Sequence, residues 1–347
     1  MYGDAPLILD KPDVNTQSFL PRDPKAKIIA QVIQDLKDAF SALPATSSQT
    51  GRANKWAAKA LLARVYLYNE MWEEAEKAAE EVINSKKYSL FSDYRNLFSR
   101  DHENNQEVIF DVQYLYPTFV HSGNGLDVVL RQFNSIAPTL DLVKAYDMKD
   151  GSSYTDGKDL YIDRDPRFYA TIVHPGATYM GQIVTNDKFI NTGYTFKKYS
   201  RYATIDDKND INIILMRYAD ILMIYAEARN ERLDKPDQPI YDGINEVRNR
   251  PSVKMPLFDK TKDNFTKEQM RERIRHERRI EFAGEGWYYN DIRRWKIAKE
   301  LMNGSTVQKY DGSIIERRIF NDKNYLFPLP QQEVNDNPNL LPNNPGW

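Results

Sequence analysis

Residues 51–85, GRANKWAAKALLARVYLYNEMWEEAEKAAEEVINS, read as two helices on either side of a tight turn. The first half is rich in Ala and Leu and the second in Glu, Ala and Lys, all strong helix formers, and neither has Gly or Pro in its interior. Asn69 and Glu70 leave room for a turn of only two or three residues, so the two helices run antiparallel. Ala57, Ala60 and Ala63 on the first helix and Ala75 and Ala79 on the second clear the way for a close approach of the backbones.

Tyr66, Trp72, Ala75 and Ala79 sit as they do in a tetratricopeptide-type helical pair. Upstream, Ile28, Ile29, Val32, Ile33, Leu36, Phe40 and Leu43 recur at spacings of three and four, the mark of an amphipathic helix from Pro24 to Leu43 that Pro44 ends. A second, diverged pair is predicted at 212–232 and 239–250, with Leu215, Tyr218, Leu222, Tyr225 and Ala226 as its apolar stripe. It follows the first by about 150 residues, so the helical array is interrupted. A third helical hairpin is predicted over 267–282 and 287–302.

The interruption, residues 108–210, differs in composition. VIFDVQYLYP at 108–117 is β-prone, only 139–148 looks helical, and the remainder is Gly, Asp, Asn, Tyr and Thr with short strand-like runs such as ATIVH and FKKYS. So much irregular chain inside a folded domain usually carries function. In the tail from Asn321, prolines at 328, 330, 338, 342 and 345 exclude regular helix or central strand, and the tail is expected to wrap over the helices as ordered extended chain.

Composition narrows the chemistry. The chain of 347 residues carries 48 Lys and Arg against 50 Asp and Glu, a formal charge of −2, which argues against a phosphate-backbone partner; no nucleic acid is expected. The absence of cysteine removes disulfides, thiolate metal sites and Cys nucleophiles. No secretory signal is visible at 1–15, and no apolar run reaches the about 18 residues of a membrane helix. His276-Glu277 lacks the second His of a zincin, since position 280 is Ile, and His102, His121 and His174 stand apart in sequence. Asp156, Asp159, Asp163 and Asp165 lack the Gly and Glu of an EF-hand loop, and SGNGLD at 122–127 lacks the rest of a dinucleotide fingerprint. No metal, cofactor or catalytic residue is therefore assigned. Residues 267–300 hold ten Lys or Arg and seven Asp or Glu, which reads as a salt-bridged hairpin; Arg278, Arg279, Glu281, Asp291 and Arg293 are its expected network. Glu277, Glu281, Glu285 and Asp291 could serve glycoside hydrolysis only if two of them faced each other across a cleft, which packed helices oppose.

The 22 Tyr, 15 Phe and 5 Trp divide into two sets. Tyr66, Trp72, Tyr218, Tyr225, Trp287 and Trp295 fall on helical stripes or turns and are expected in the core. Those of the irregular segment lie among amides and carboxylates, a mixture suited to stacking on sugar rings while bonding their hydroxyls. The expected ligand site is Tyr114, Tyr116, Phe119, Asn124, Tyr154, Tyr179, Asn186 and Tyr194.

Several blocks together resemble the SusD/RagB family of Bacteroidetes outer-membrane glycan-binding lipoproteins. They are YGDAPLIL at 2–9, GRANKWAAKALLARVYLY at 51–68, KYSLFSDYRNLF at 87–98, NNQEVIFDVQY at 104–114, DPRFYATI at 165–172, MRYADILMIYAEARNE at 216–231, INEVRNRP at 244–251, RHERRIEFAGEGWYYNDIRRW at 275–295 and LFPLPQQEVNDNPNLLPNNPGW at 326–347. The resemblance implies a mostly α, SusD-like fold: tetratricopeptide-like helical pairs with a long loop-rich insert and short strands. Residues 1–347 would form one domain lacking its N-terminal portion. It comprises a helix and pair at 24–107, the insert carrying the ligand face at 108–210, a pair and hairpin at 211–302, and an extended tail at 303–347. It further implies non-catalytic capture of oligosaccharides or polysaccharides at the cell surface for a TonB-dependent, SusC-like outer-membrane transporter. In the full-length protein a lipid anchor, absent from this chain with its signal peptide, would hold it there. Peptides or other nutrients are the alternative ligands, and glycoside hydrolysis the competing activity.

Overall fold

Pro24 precedes and Pro44 closely follows helix α1 (Lys25–Ala42). The computed structural model describes residues 1–120, 129–130, 133–200 and 210–347. Helix α2 (Lys55–Tyr68) starts at Asn54, whose side-chain oxygen accepts from the N–H of Trp56 at 2.9 Å and of Ala57 at 3.1 Å, satisfying two of the otherwise unpaired donors of the first turn. Glu70, in the left-handed region at φ 58°, turns the chain into α3 (Trp72–Asn84). Ala57, Ala60, Ala63, Ala75, Ala78 and Ala79 are all buried in this interface, as their size predicts.

Strand β1 (Val108–Val112) opens the insert. Helix α4 (Leu140–Ala145) is capped by Thr139. Helix α5 (Pro166–Thr171) is a second helix where the sequence reading had loop; its signal is Asp165 as N-cap followed by Pro166 at the first helical position, a favoured pairing that apolar periodicity over six residues is too short to reveal. Strands β2 (Ile172–Val173) and β5 (Thr195–Phe196) pair antiparallel, and β3 (Thr178–Tyr179) forms a hairpin with β4 (Gln182–Ile183). These short pieces have apolar cores of their own. Val143, Tyr146, Phe168, Ile172 and Tyr194 pack together with Ile280 and Ala283 from the C-terminal half.

Strand β6 (Ile213–Arg217) corrects the helix expected from residue 212: helix α6 (Tyr218–Arg232) begins six residues later. Ile213 and Ile214 are β-branched and pair with β1, Val112 opposite Ile213 and Val108 opposite Arg217, and Leu215 faces outward where a helical stripe would have buried it. The ladder brings both ends of the insert side by side, so about 100 residues leave and return at one place. The helical array is consequently continuous in space: Ile221, Ile224, Tyr225 and Ala228 of α6 share one core with α2 and α3, and α7 (Gln238–Arg248) packs on the other side of α6.

The C-terminal hairpin begins with α8 (Lys267–Glu281), closed at its start by a capping box between Thr266 and Gln269. Its second arm is two helices instead of one, α9 (Tyr288–Arg294) and α10 (Ala298–Met302), because Lys296 adopts φ 59° and breaks the hydrogen-bond ladder. Strands β7 (Thr306–Gln308) and β8 (Ile314–Arg317) make an exposed hairpin. The tail is ordered but not wholly extended: a short α-helix at Gln331–Asp336, where no regular helix was expected, fits between Pro330 and Pro338 with 3₁₀ turns at Asp322–Tyr325 and Pro338–Leu340, and the tail locks onto the first residues of the chain. Phe327 N–H donates to Met1 O at 3.1 Å, Asn344 Nδ2 to Tyr2 O at 3.0 Å, and Arg22 Nη1 to Pro342 O at 2.9 Å. Of the aromatics expected inside, Tyr66, Tyr218 and Tyr225 are buried and Trp72, Trp287 and Trp295 pack on apolar clusters with part of their surface exposed.

Two buried charge networks, each balanced in sign, hold these parts together, the larger between the helical array and the insert and the smaller among helices α2, α6, α8 and α9. In the larger, Arg167, Lys198, Arg217, Arg248 and Arg250 meet Glu107, Asp165, Glu277, Glu281 and Glu285. Arg217 bonds Glu281 at 2.7 Å, Glu107 at 2.8 Å and Glu285 at 2.7 Å, and Arg250 reaches Glu281 at 2.9 Å. In the smaller, Arg64, Arg278 and Arg294 meet Asp220, Glu227 and Asp291 at 2.6 to 3.1 Å. Burial pushes the Glu281 carboxyl up, but Arg250, Arg217 and Arg167 outweigh it and hold it well below the ordinary range. Asp220 is likewise brought down to about 2, its burial outweighed by Arg64 and Arg278. The expected five-residue network thus divides: Arg278 and Asp291 belong to the smaller network and Glu281 to the larger, while Arg279 pairs with exposed Asp141 and Arg293 bonds Tyr325 O. Most partners come from other elements and not from the next helical turn.

Candidate ligand-binding site

Beyond Val112 the chain leaves the β1–β6 ladder and turns back on itself. Leu115 and Phe119 exchange backbone hydrogen bonds, N to O at 2.6 and 2.7 Å, which closes residues 115–119 into a tight loop. Two buried side chains just before β6 hold it. Asn212 Oδ1 accepts from Tyr114 N–H at 2.8 Å and Asp210 Oδ2 from Tyr116 N–H at 3.0 Å. Leu115, Tyr116 and Phe119 then face solvent at 60%, 47% and 66% exposure. Around the base stand Gln113 and Asn104, whose amides bond each other at 3.0 Å, together with Asp111 and Glu103. Burial pushes both of these carboxyls up; bonds from Gln113 and Asn212 counter it at Asp111, and the Asn212 N–H counters it at Glu103. Exposed ring faces beside amides and carboxylates can stack on the C–H face of a sugar and bond its hydroxyls.

The structure brings three of the eight expected site residues together on this loop: Tyr114, half-buried at its start, Tyr116 and Phe119. Asn124 lies outside the described residues. Tyr154 is half-buried with its ring 4.7 Å from the Arg164 guanidinium and its hydroxyl donating to Lys158 O. Asn186 is exposed on the chain after β4. Tyr179 and Tyr194 are inside: Tyr179 packs with Val173, Val184 and Phe189, and Tyr194 is fully buried with its hydroxyl 3.1 Å from that of Tyr161. Neither presents a face to a ligand. Their burial follows from α5 and the short strands, which give the insert cores that its composition does not announce. Asp210 and Asn212, which hold the loop, escaped the sequence reading; only the β1–β6 pairing places them beside residues about 100 positions earlier.

Other polar constellations are occupied by packing. Among the described residues no group of three or more His, Asp or Glu is placed to hold a metal ion. Asp165 is paired with Arg167 and Asp156 with Lys144, which disperses the aspartates of 156–165. His174 stacks on Tyr161 at 4.2 Å, and burial lowers its pKa; His276 lies 3.2 Å from Asp147; His121 is outside the described residues. Glu277, Glu281, Glu285 and Asp291, the carboxylates weighed for hydrolysis, are buried and ion-paired, so none faces a cleft. A cavity of about 1410 Å³ lies between the starts of the chain and of α1 and the end of the C-terminal hairpin; among the ions that line it, Lys299 pairs with Asp322, Lys296 with Glu70 and Arg294 with Glu227.

A family model described as the SusD family matches residues 81–347. The chain belongs to the SusD family. Residues 1–67 match a second model, described as starch-binding associating with outer membrane. SusD-like protein P2 of Formosa agariphila is 27% identical over 374 residues, covering 100% of this chain and 70% of that protein. Among solved structures, a SusD-like carbohydrate binding protein from Bacteroides fragilis superposes with a TM-score of 0.87 at 28% identity, over 98% of this chain and 76% of its own. A second SusD-like protein from the same species gives 0.86 at 29%, over 100% and 76%. The mostly helical SusD architecture, with tetratricopeptide-like pairs, is therefore shared with these relatives. No helix among the described residues is long and apolar enough to cross a membrane.

Proposed function

We propose that this SusD-family chain binds oligosaccharides or polysaccharides without cleaving them, through the loop that presents Tyr116 and Phe119. It does so at the outer-membrane surface, where a lipid anchor of the full-length protein holds it, and delivers the sugar to a TonB-dependent, SusC-like transporter. The observation that carries the reading is two exposed rings on a backbone fixed by buried acceptors, beside the exposed amides of Gln113 and Asn104. A solved relative described as carbohydrate binding supports the ligand class, and the family model's association with starch and the outer membrane supports the location. A non-catalytic role is supported by Glu277 and Glu281 of α8 and Asp291 of α9, which are committed to buried ion pairs.

Affinity electrophoresis and calorimetric titration against polysaccharides, beginning with soluble starch and laminarin, test this. Retardation that Tyr116→Ala and Phe119→Ala each weaken about tenfold is the expected result, taking a sugar face on one ring as worth the lower part of the about 1–3 kcal/mol that a stacked nucleobase is worth. Binding that survives both changes would move the site elsewhere. Release of reducing ends from a retained polysaccharide would establish a hydrolase instead.

A further inference from the structure

Exposed rings have little packing of their own, so their position is set by the backbone that carries them. In the 113–119 loop that backbone continues a ladder by unusual means. The β1–β6 pairing ends with Val112 opposite Ile213. In a continued ladder the next inward N–H groups would find main-chain carbonyls; here side-chain oxygens replace them, Asn212 Oδ1 for Tyr114 and Asp210 Oδ2 for Tyr116. Acceptors two residues apart meet donors two residues apart, as in antiparallel pairing, but the longer reach lets the loop splay outward with these donors still satisfied.

Both acceptors are themselves fixed. Asn212 donates its N–H to Glu103 Oε1 at 2.8 Å and its Nδ2 to Asp111 Oδ2 at 3.1 Å, and Asp210 Oδ2 lies 3.0 Å from Arg100 Nη2. The two side chains are 2% and 3% exposed, although the rings they position are about half exposed or more. Buried polar side chains kept beneath an exposed loop have a cost in desolvation that the loop's order offsets.

We propose that Asp210 and Asn212 are positioning residues of the ligand loop: their oxygens pre-order Tyr114 and Tyr116 so that Tyr116 and Phe119 need little ordering on binding. The proposal rests on the reading of this loop as the sugar site, and it makes the loop's rigidity the source of affinity. Asp210 and Asn212 touch no ligand in this account.

The test uses Asp210→Ala, Asn212→Ala and the conservative Asp210→Asn, which keeps an acceptor oxygen for Tyr116. Hydrogen exchange of the peptide spanning 113–120 is read by mass spectrometry, beside the thermal midpoint and the affinity for whichever of soluble starch and laminarin the parent protein retains. Expected are exchange at least tenfold faster in this peptide for both Ala variants, unchanged exchange in the peptides of α2, α3 and α6, and affinity lowered tenfold or more with little change in midpoint. Asp210→Asn should stay within about twofold of the parent in both readouts. Parent-like exchange in Asp210→Ala and Asn212→Ala overturns the proposal whether or not any sugar binds. Faster exchange with unaltered affinity overturns it too, provided Tyr116→Ala still weakens binding about tenfold. Full affinity in Tyr116→Ala and Phe119→Ala would instead fault the site reading and leave the exchange result to decide the tether.

Discussion

Replacing Glu281 by Gln removes one charge from the middle of the larger network and nearly nothing else. The carboxylate is fully buried and takes bonds from Arg217 at 2.7 Å, Arg250 at 2.9 Å and Arg167 at 3.0 Å. Five cations and five anions balance in the native network, so Glu281→Gln leaves one uncompensated positive charge in the core. The Gln amide also turns an N–H group toward a guanidinium. Summing three charge-assisted bonds would overstate the loss, because each Arg keeps another carboxylate; the removal of one partner from a buried pair bounds it at about 3–5 kcal/mol. With a urea slope near 3 kcal/mol per molar, about 4 kcal/mol moves the unfolding midpoint by more than about 1 M. Glu73→Gln, which breaks the exposed Lys77–Glu73 pair, serves as the control and should leave the midpoint where it is. Adding Arg250→Met to Glu281→Gln restores the balance of charge, so the double variant should be more stable than the sum of the single losses predicts. Strict additivity, or a midpoint for Glu281→Gln that matches the control, would refute the account of a balanced buried network.

Asp291→Ala should cost about 3 kcal/mol in the same assay, since it leaves Arg278 and Arg294 without one of their carboxylates in the smaller network. Acid should unfold the protein cooperatively: Asp220, at about 2 in the fold against 3.8 ordinarily, contributes about 2 kcal/mol that is fully present above about pH 4 and lost as pH falls toward 2. Glu227, Glu277, Glu281 and Glu285, also held low, act in the same sense, whereas Glu103 and Asp111, pushed up by burial, oppose them; a pH titration by circular dichroism showing equal stability at pH 6 and pH 3 would contradict this. Gly193→Ala should destabilise more than Gly176→Ala by about 1–3 kcal/mol in thermal melts. Both glycines have φ above +80°, but a Cβ at 193 would run into the Tyr310 ring while one at 176 meets nothing within 4 Å.

The candidate site was half legible. Tyr114, Tyr116 and Phe119 stood out because they are apolar rings in a segment with no period to place them, and the structure does set Tyr116 and Phe119 in solvent. The same argument failed to separate them from Tyr179 and Tyr194. A ring in irregular chain is exposed or buried according to what packs over it, and the short helix at 166–171 and the paired strands that cover those two tyrosines carry too few residues to show a period.

The sequence by itself determined the first helical pair, the mostly helical fold class and the family. These rest on local patterns: the three- and four-residue spacing of apolar side chains, small Ala faces, and motif blocks in a fixed order. Tertiary structure alone decided that the two pairs form one continuous array, that β6 replaces the first turns of an expected helix, and that Glu277, Arg278 and Glu281 of α8 and Asp291 of α9 are core. A Glu followed by Arg reads alike on a solvated face and in a buried network. Which it becomes depends on desolvation by elements distant in the chain, and Glu281 meets Arg167 and Arg217 only because the insert folds back through a two-stranded ladder onto that helix.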